Sequence, residues 1–310
     1  MSPSPLTLSS RDRKRFAGIE ETLIEWYNMN RRKFSWRKKI RDPYEVLVCE
    51  VMGQQTQASR IEEFLPRFLH QFPTIESLAA AKQSDVIRAW QGLGYNRRAL
   101  NLQRAAIALS NKPFPKTEAD LLKLPGIGDY TARAILIFAY NKPVATVDVN
   151  IERVLSRLFR IMPDSQTMLP KHEILALGEA ILPRKRSRLW HEALMDFGAT
   201  ICKKRAPKCG ECPLYAKCKS GPVLIDQPAT LKNLKVIKER QYFGQPKRIW
   251  RGRILKLISM NHGLTEASVL RHLKHSKGDA DFKQFVQEVL RALITDGFCI
   301  RKSDRKYYLA

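Results

Sequence analysis

Residues 124–150 read LPGIGDYTARAILIFAYNKPVATVDVN, and this stretch decides the architecture. Two glycines flank Ile127 between the apolar-periodic segments 117–123 and 129–140, which predicts a helix, a tight turn and a second helix. Gly126 and Gly128 permit backbone angles that other residues reach only with strain. Amide N–H groups at the turn and at the start of the second helix then face outward, forming a site for phosphate oxygen that needs no side-chain charge. Such a site grips a nucleic-acid backbone and reads no sequence. A bare G-x-G also describes an ordinary turn between helices, so the turn alone leaves both readings open. Beyond the second helix, Val144-Ala-Thr-Val-Asp148-Val-Asn150 runs into helix 149–161. Asp148 is a favoured helix N-cap by residue type. The same position, at the positive end of a helix, favours a charged carboxylate directed at a ligand, so capping and catalysis are compatible there.

Downstream, Cys202, Cys209, Cys212 and Cys218 are spaced C-x6-C-x2-C-x5-C. Thiolates are soft ligands, and four in one short loop can close around a cluster or a single metal without distant help. Zinc ribbons usually use two C-x2-C pairs with a long spacer. Only one such pair occurs here, so the spacing favours an iron–sulfur cluster over zinc. Cys49 and Cys299 lie far apart in apolar contexts and read as small buried hydrophobes, with no disulfide framework implied.

The chain has 310 residues, enough for about two domains, and 44% of them are hydrophobic, as in a globular protein. Lys plus Arg number 55 against 30 Asp plus Glu, a net charge of +25, which favours a polyanionic partner. Residues 183–219 and 232–256 concentrate this charge on either side of the cysteine loop and its sequel, the pattern of a cationic track along a duplex. An anionic membrane is the other candidate. No apolar run approaches ~18 residues and no charged-then-apolar leader opens the chain, so the expectation is a soluble, unexported protein.

Residues 1–10 are Ser/Pro-rich and read as a disordered tail. From Arg11 to Asn30 a helical pattern puts Phe16, Ile19, Leu23 and Trp26 on one face, and further helical segments follow at 44–57, 59–70, 75–80, 84–92 and 95–111. With 171–182 and 187–200, residues 11–220 read as one all-helical domain that includes the cysteine loop 202–218. Residues 221–246 read as a basic linker. Helices 248–260, 265–275 and 281–296 and two short strand-like runs then give residues 247–310 a winged-helix-like outline. An accessory helical domain that contacts only protein fits the same pattern.

In order along the chain stand Glu50-Val-Met-Gly-Gln-Gln-Thr-Gln57, Gly92-Leu-Gly-Tyr95, Leu124-Pro-Gly-Ile-Gly128, Val147-Asp148-Val-Asn150 and the cysteine loop. This series over residues 12–220 resembles the helix-hairpin-helix DNA glycosylases, and most of all their MutY adenine glycosylase branch. The resemblance implies a mainly α, two-lobed fold that grips mismatched double-stranded DNA, acts as a monomer, carries a 4Fe-4S cluster on the four cysteines and extrudes the target nucleotide. It casts Asp148 as stabiliser of an oxocarbenium-like sugar and Glu50 as the general acid, one carboxyl charged and one protonated. Glu50 sits in the apolar stretch Val46–Met52, where burial would raise its pKa. Tyr130 stands where bifunctional relatives of the endonuclease III type carry a lysine, which implies a monofunctional enzyme. Gln54 and Gln55 match positions that probe the gap and the estranged base, Tyr95 matches a wedging aromatic, and Asn150 supports the pocket or Asp148.

Several positions depart from the branch. Val149 follows Asp148 where glycine is usual, Gly53 replaces a leucine, and Asn96 follows Tyr95 where a second tyrosine is usual. The Nudix-like β-rich domain that reads 8-oxoguanine in the best-known adenine glycosylases is not legible in 221–310. Residues 243–253 and their sequel resemble the short C-terminal extension of some bacterial MutY-like proteins. A G·T or G·U mismatch glycosylase therefore stays open as a second enzyme reading, and a non-catalytic iron–sulfur DNA-binding protein as a reading of another class.

Overall fold

The computed structural model describes residues 10–161, 168–226, 239–273 and 280–310. In chain order these form α1 (Ser10–Phe16), α2 (Ile19–Asn30), α3 (Pro43–Gly53), α4 (Ala58–Gln71), α5 (Ile75–Ala80), α6 (Gln83–Ala89), α7 (Arg97–Leu109), α8 (Glu118–Leu121), α9 (Asp129–Tyr140), α10 (Val149–Phe159), α11 (Lys171–Ala180), α12 (Ser187–Thr200) and α13 (Gly221–Asp226). A hairpin of β1 (Gln241–Tyr242) and β2 (Gln245–Pro246) follows, then α14 (Lys247–Met260), α15 (Glu266–Leu273), α16 (Ala280–Thr295), β3 (Cys299–Arg301) and β4 (Tyr307–Leu309). The protein is mainly α, as the periodicity predicts.

Two helix boundaries differ from expectation for local reasons. The single helix expected over 11–30 is α1 and α2, divided where Gly18 adopts φ +75°, a left-handed angle that ends one helix and opens the next. The helix expected to reach Gln57 stops at Gly53, because Gln55 turns left-handed (φ +55°) and the Thr56 N–H bonds back to the Gly53 carbonyl at 3.2 Å. Of the expected tail only Ser10 is described, and residues 274–275 of the expected helix 265–275 lie outside the described residues.

The chain divides into two compact units. The first takes residues 1–47, 115–123 and 127–236. Its core joins α2 to α10, α11 and α12, with Trp26 edge-on to Phe197 at 5.0 Å, and the expected face of Phe16, Ile19, Leu23 and Trp26 is buried in it. Asp196 is fully buried on α12. Burial pushes its carboxyl up, but the guanidinium of Arg37 at 2.7 Å and that of Arg32 at 2.7 Å outweigh this and hold it below the usual carboxylate range. Such a pair ties the 31–37 segment to α12, and removing one partner of a buried pair costs about 3–5 kcal/mol.

The second unit takes residues 48–114, 124–126 and 237–310. Here α5 packs on α7, and Ile87 and Leu100 from α6 and α7 share a core with Trp250, Ile254, Val289 and Tyr307. Strands β3 and β4 pair antiparallel, Ile300 opposite Tyr308, and Leu264 bridges to Tyr307. The expected succession of three helices and a closing hairpin is present over 247–309. Of the segment 221–246, residues 221–226 form α13 and 241–246 the β1–β2 hairpin, whose Tyr242 carbonyl accepts from the Trp250 indole at 2.7 Å. Residues 227–238 lie outside the described residues. Cys49 and Cys299 are buried hydrophobes, as expected. Among the described residues no helix is long and apolar enough to cross a membrane.

Candidate active site

Asp148 caps α10. Its Oδ1 accepts the N–H groups of Asn150 at 3.0 Å and Ile151 at 2.7 Å, and the Asn150 side-chain amide donates to Oδ2 at 2.9 Å. Three donors and a helix N-terminus converge on one carboxylate, an arrangement that favours negative charge. Asn150 is itself held by Arg153, whose Nη2 donates to Asn150 Oδ1 at 2.8 Å and to the Gly198 carbonyl at 2.6 Å, while Nε donates to the Cys202 carbonyl at 2.6 Å. Gly198 makes room for this crossing: a Cβ there would lie 2.7 Å from Asn150 Cβ and 3.1 Å from its Cα and carbonyl oxygen.

The segment leading to Asp148 is pinned on both sides. Glu179 accepts the Ala145 N–H at 2.8 Å, and the buried His191 accepts the Thr146 N–H on Nε2 at 3.2 Å. His191 Nδ1–H donates to the Ser187 carbonyl at 2.7 Å, which fixes the neutral tautomer, and burial pushes the ring's pKa down to about 4. Arg133 on α9 donates to Glu118 on α8 at 2.7 Å and to the Ala145 carbonyl at 3.3 Å, tying the hairpin helices to the same segment. Arg133, Arg153, Gly198 and His191 escaped the sequence reading. Each is a polar or small residue inside a helix, and periodicity alone assigns such residues to the surface.

The hairpin glycines divide in role. Gly126 has φ +78°, and a Cβ there would meet Asn101 Cβ at 2.7 Å, so both conformation and space require glycine. Gly128 does not need it for its angles: φ −102° and ψ 179° is extended backbone open to any residue. Among the described residues a Cβ at Gly128 would meet nothing within 4 Å, and α9 begins there with no side-chain cap. The glycine thus leaves the first turn of α9 uncovered by a capping side chain, and the strain expected at Gly128 from sequence is absent. Tyr130 is half-buried in that first turn, and Glu50 is half-buried on α3 between the buried Cys49 and Val51.

Gln54, Gln55 and Tyr95 line one cavity in the second unit. Gln55 and Tyr95 both have left-handed backbones, φ +55° and +46°, and Tyr95 is 51% exposed. A buried guanidinium holds their two loops together. Arg98 donates to the carbonyls of Val51 (3.0 Å), Met52 (2.9 Å) and Gln54 (2.5 Å) on one side, and of Leu93 (3.3 Å) and Gly94 (3.0 Å) on the other. Desolvation lowers its pKa to about 10, which leaves it charged at neutral pH.

The four loop cysteines line a single cavity in the first unit, together with Arg157 and Leu224 of α13. Burial, with a smaller contribution from the neighbouring thiols, pushes the Cys212 thiol up to about 12 and Cys218 up to about 11, so ionising these two needs a compensating cation. Arg157 is almost fully buried against them, with Nη1 3.5 Å from Cys202 Sγ and an Nε–H that has no partner among the described residues. Four sulfur donors and a spare buried N–H suit an anionic metal–thiolate group. Among the described residues no three His, Cys, Asp or Glu side chains are drawn together as a ready site for one metal ion.

Residues 48–177 match the HhH-GPD superfamily base excision DNA repair protein family. Over 196 residues the chain is 39% identical to the adenine DNA glycosylase of Mycolicibacterium smegmatis, a match covering 62% of this chain and 66% of that one, so it spans just under two thirds of the relative's length. It is 34% identical over 283 residues to the adenine DNA glycosylase of Buchnera aphidicola subsp. Schizaphis graminum, covering 86% of this chain and 80% of the relative. The solved structure of a thermostable thymine-DNA glycosylase superposes with a TM-score of 0.61 at 28% identity, covering 68% of this chain and 98% of that chain. A likeness at this identity and coverage places the chain in the HhH-GPD superfamily of base excision DNA repair proteins, within the MutY-type branch.

Proposed function

We propose that this protein is a monofunctional DNA glycosylase that removes adenine mispaired with guanine or 8-oxoguanine. The observation that carries the reading is the Asp148 carboxylate, set at the head of α10 by two backbone N–H groups and the Asn150 amide. Duplex backbone is held at the uncapped start of α9, beyond Gly126 and Gly128, and the target nucleotide is turned out of the stack. Glu50 gives its proton to the leaving adenine as the C–N bond breaks, and Asp148 meets the positive charge that grows on the sugar. Glu50, now a carboxylate, takes a proton from the water that adds to the sugar carbon, leaving free adenine and an abasic site. Tyr130 offers no amine for a Schiff base, so the strand stays intact.

Cys202, Cys209, Cys212 and Cys218 would hold a 4Fe-4S cluster, which would brace the loop that carries them. Lys203, Lys204, Arg205 and Lys208 of that loop then face phosphates. The partner is mismatched double-stranded DNA, engaged by a monomer in the cytoplasm of a prokaryote, at the nucleoid.

A second reading, excision of thymine or uracil opposite guanine, draws support from the likeness to a thymine-DNA glycosylase. Single-turnover excision on A·G, A·8-oxoG, G·T and G·U duplexes separates the two. Loss of excision in Asp148→Asn is expected, and an Asp148→Asn enzyme as fast as the parent would refute the mechanism. Binding without excision of any base would leave a non-catalytic DNA-binding protein.

A further inference from the structure

The cavity that holds Gln54, Gln55 and Tyr95 has a second wall that the family likeness does not account for. That wall is α14, and the cavity between the two has a volume of about 930 Å³. The walls differ in chemistry. The first presents amides and an aromatic ring, groups suited to the edge and face of a base. The second presents Arg248, Arg253 and Lys256, all exposed, groups suited to phosphate. Among the described residues Asp296 is the single carboxylate in the lining, and both of its oxygens are taken, one by Arg97 and the other by Arg251 at 2.5 Å. Arg248 pairs with Glu239 at 2.8 Å. Arg253 stacks over Trp250 at 5.3 Å and, like Lys256, has no carboxylate partner among the described residues.

Gly252 is an independent observation on the same wall. It lies inside the 14-residue helix α14, where glycine is among the poorest helix formers. Nothing among the described residues asks for it: its backbone is helical, and a Cβ would meet no described atom within 4 Å. It falls four residues after Arg248 and four before Lys256, so a bare patch of helix surface lies between two cations on one stripe. A ligand backbone can come close to the helix there, as no side chain stands in the way.

We propose that this cavity receives a nucleotide of the strand opposite the extruded base, its base against Gln54, Gln55 and Tyr95 and its flanking phosphates on α14 over Gly252, met by Arg253 and Lys256. The proposal rests on the DNA glycosylase reading for its choice of strand. It gives the C-terminal helices a direct part in holding the unextruded strand, by cationic contact and close backbone approach.

The test uses the full chain and a duplex carrying a stable abasic-site analogue opposite guanine, so that binding is measured without excision. Arg253→Ala/Lys256→Ala is expected to weaken binding at least tenfold and to flatten the dependence of log K on log salt by about 1.8, two phosphate contacts at 0.9 each. Gly252→Leu, which adds a good helix former and removes no charge, is expected to leave the melting temperature level or higher and still weaken binding at least tenfold. Phosphate-ethylation interference assigns the strand. Loss, in the double variant, of interference at phosphates flanking the nucleotide opposite the analogue supports the proposal, and loss confined to the analogue's own strand overturns it. Variants that bind as the parent does, while the parent excises a base in the mismatch panel, overturn this proposal alone. A parent that excises nothing yet binds through α14 overturns the enzymatic reading alone.

Discussion

Replacing Arg98 by methionine removes a buried guanidinium that fastens the turn after α3 to the Gly92–Tyr95 loop. Methionine keeps the stem's length and packing, so the loss is confined to the guanidinium. The carbonyls of Val51, Met52 and Leu93 that it serves are buried, and Val51 and Met52 lie in the last turn of α3, where carbonyls lack a helical partner. A buried acceptor left without a donor costs about 1–3 kcal/mol. Three such acceptors, partly offset by no longer having to desolvate a cation, put the net loss at about 3 kcal/mol. Arg98→Lys should recover less than half of it, since one ammonium cannot reach carbonyls on both sides. Urea denaturation gives the stability, and titration with the abasic-analogue duplex gives the affinity. Gln54, Gln55 and Tyr95 depend on these loops, so affinity should fall in both variants even at temperatures where they remain folded. A methionine variant within about 1 kcal/mol of the parent and with equal affinity would show that the loops hold their shape without the arginine.

Other outcomes follow from the first unit. His191 is neutral in the fold with a pKa of about 4, so as pH falls below about 6.5 the unfolded chain takes up the proton first; stability contributed by this group is full above that pH and declines by up to about 3 kcal/mol down to pH 4, a slope that His191→Gln should flatten in denaturation midpoints taken across that range. Gly198→Ala forces a methyl group onto the Asn150 backbone and should cost about 1–3 kcal/mol, with single-turnover excision falling more than DNA affinity as Asn150 moves from Asp148. Cys209→Ser should abolish the visible absorbance of the cluster and, where the variant still folds, lower DNA affinity more than the rate of bond cleavage in the bound state; unchanged affinity would separate the cysteine loop from DNA binding.

The sequence carried the helices, the hairpin, the aspartate cap and the cysteine set because each is a local signal. Asp148 precedes a helix and its neighbour two residues on has an amide, so both bonds are implied by spacing alone. What it did not carry are contacts between distant segments. Arg98 and Arg153 read as solvated helix positions, since a charge is expected outside unless something buried needs five donors at once. His191 likewise reveals itself only through Thr146 and Ser187, one of them 45 residues away. The grouping of residues 237–310 with 48–114 has no local signature, because the apolar faces of α6 and α7 look the same whichever segment covers them.

That grouping bears on how the protein is made. Ile87 and Leu100 share their core with residues running from Trp250 to Tyr307. At about 5–20 residues per second, a ribosome that has just added Leu100 needs roughly 8–30 s more to reach Trp250. Through that interval the nascent chain carries an uncovered greasy face that attracts chaperones, and a message truncated after the cysteine loop would leave it bare for good.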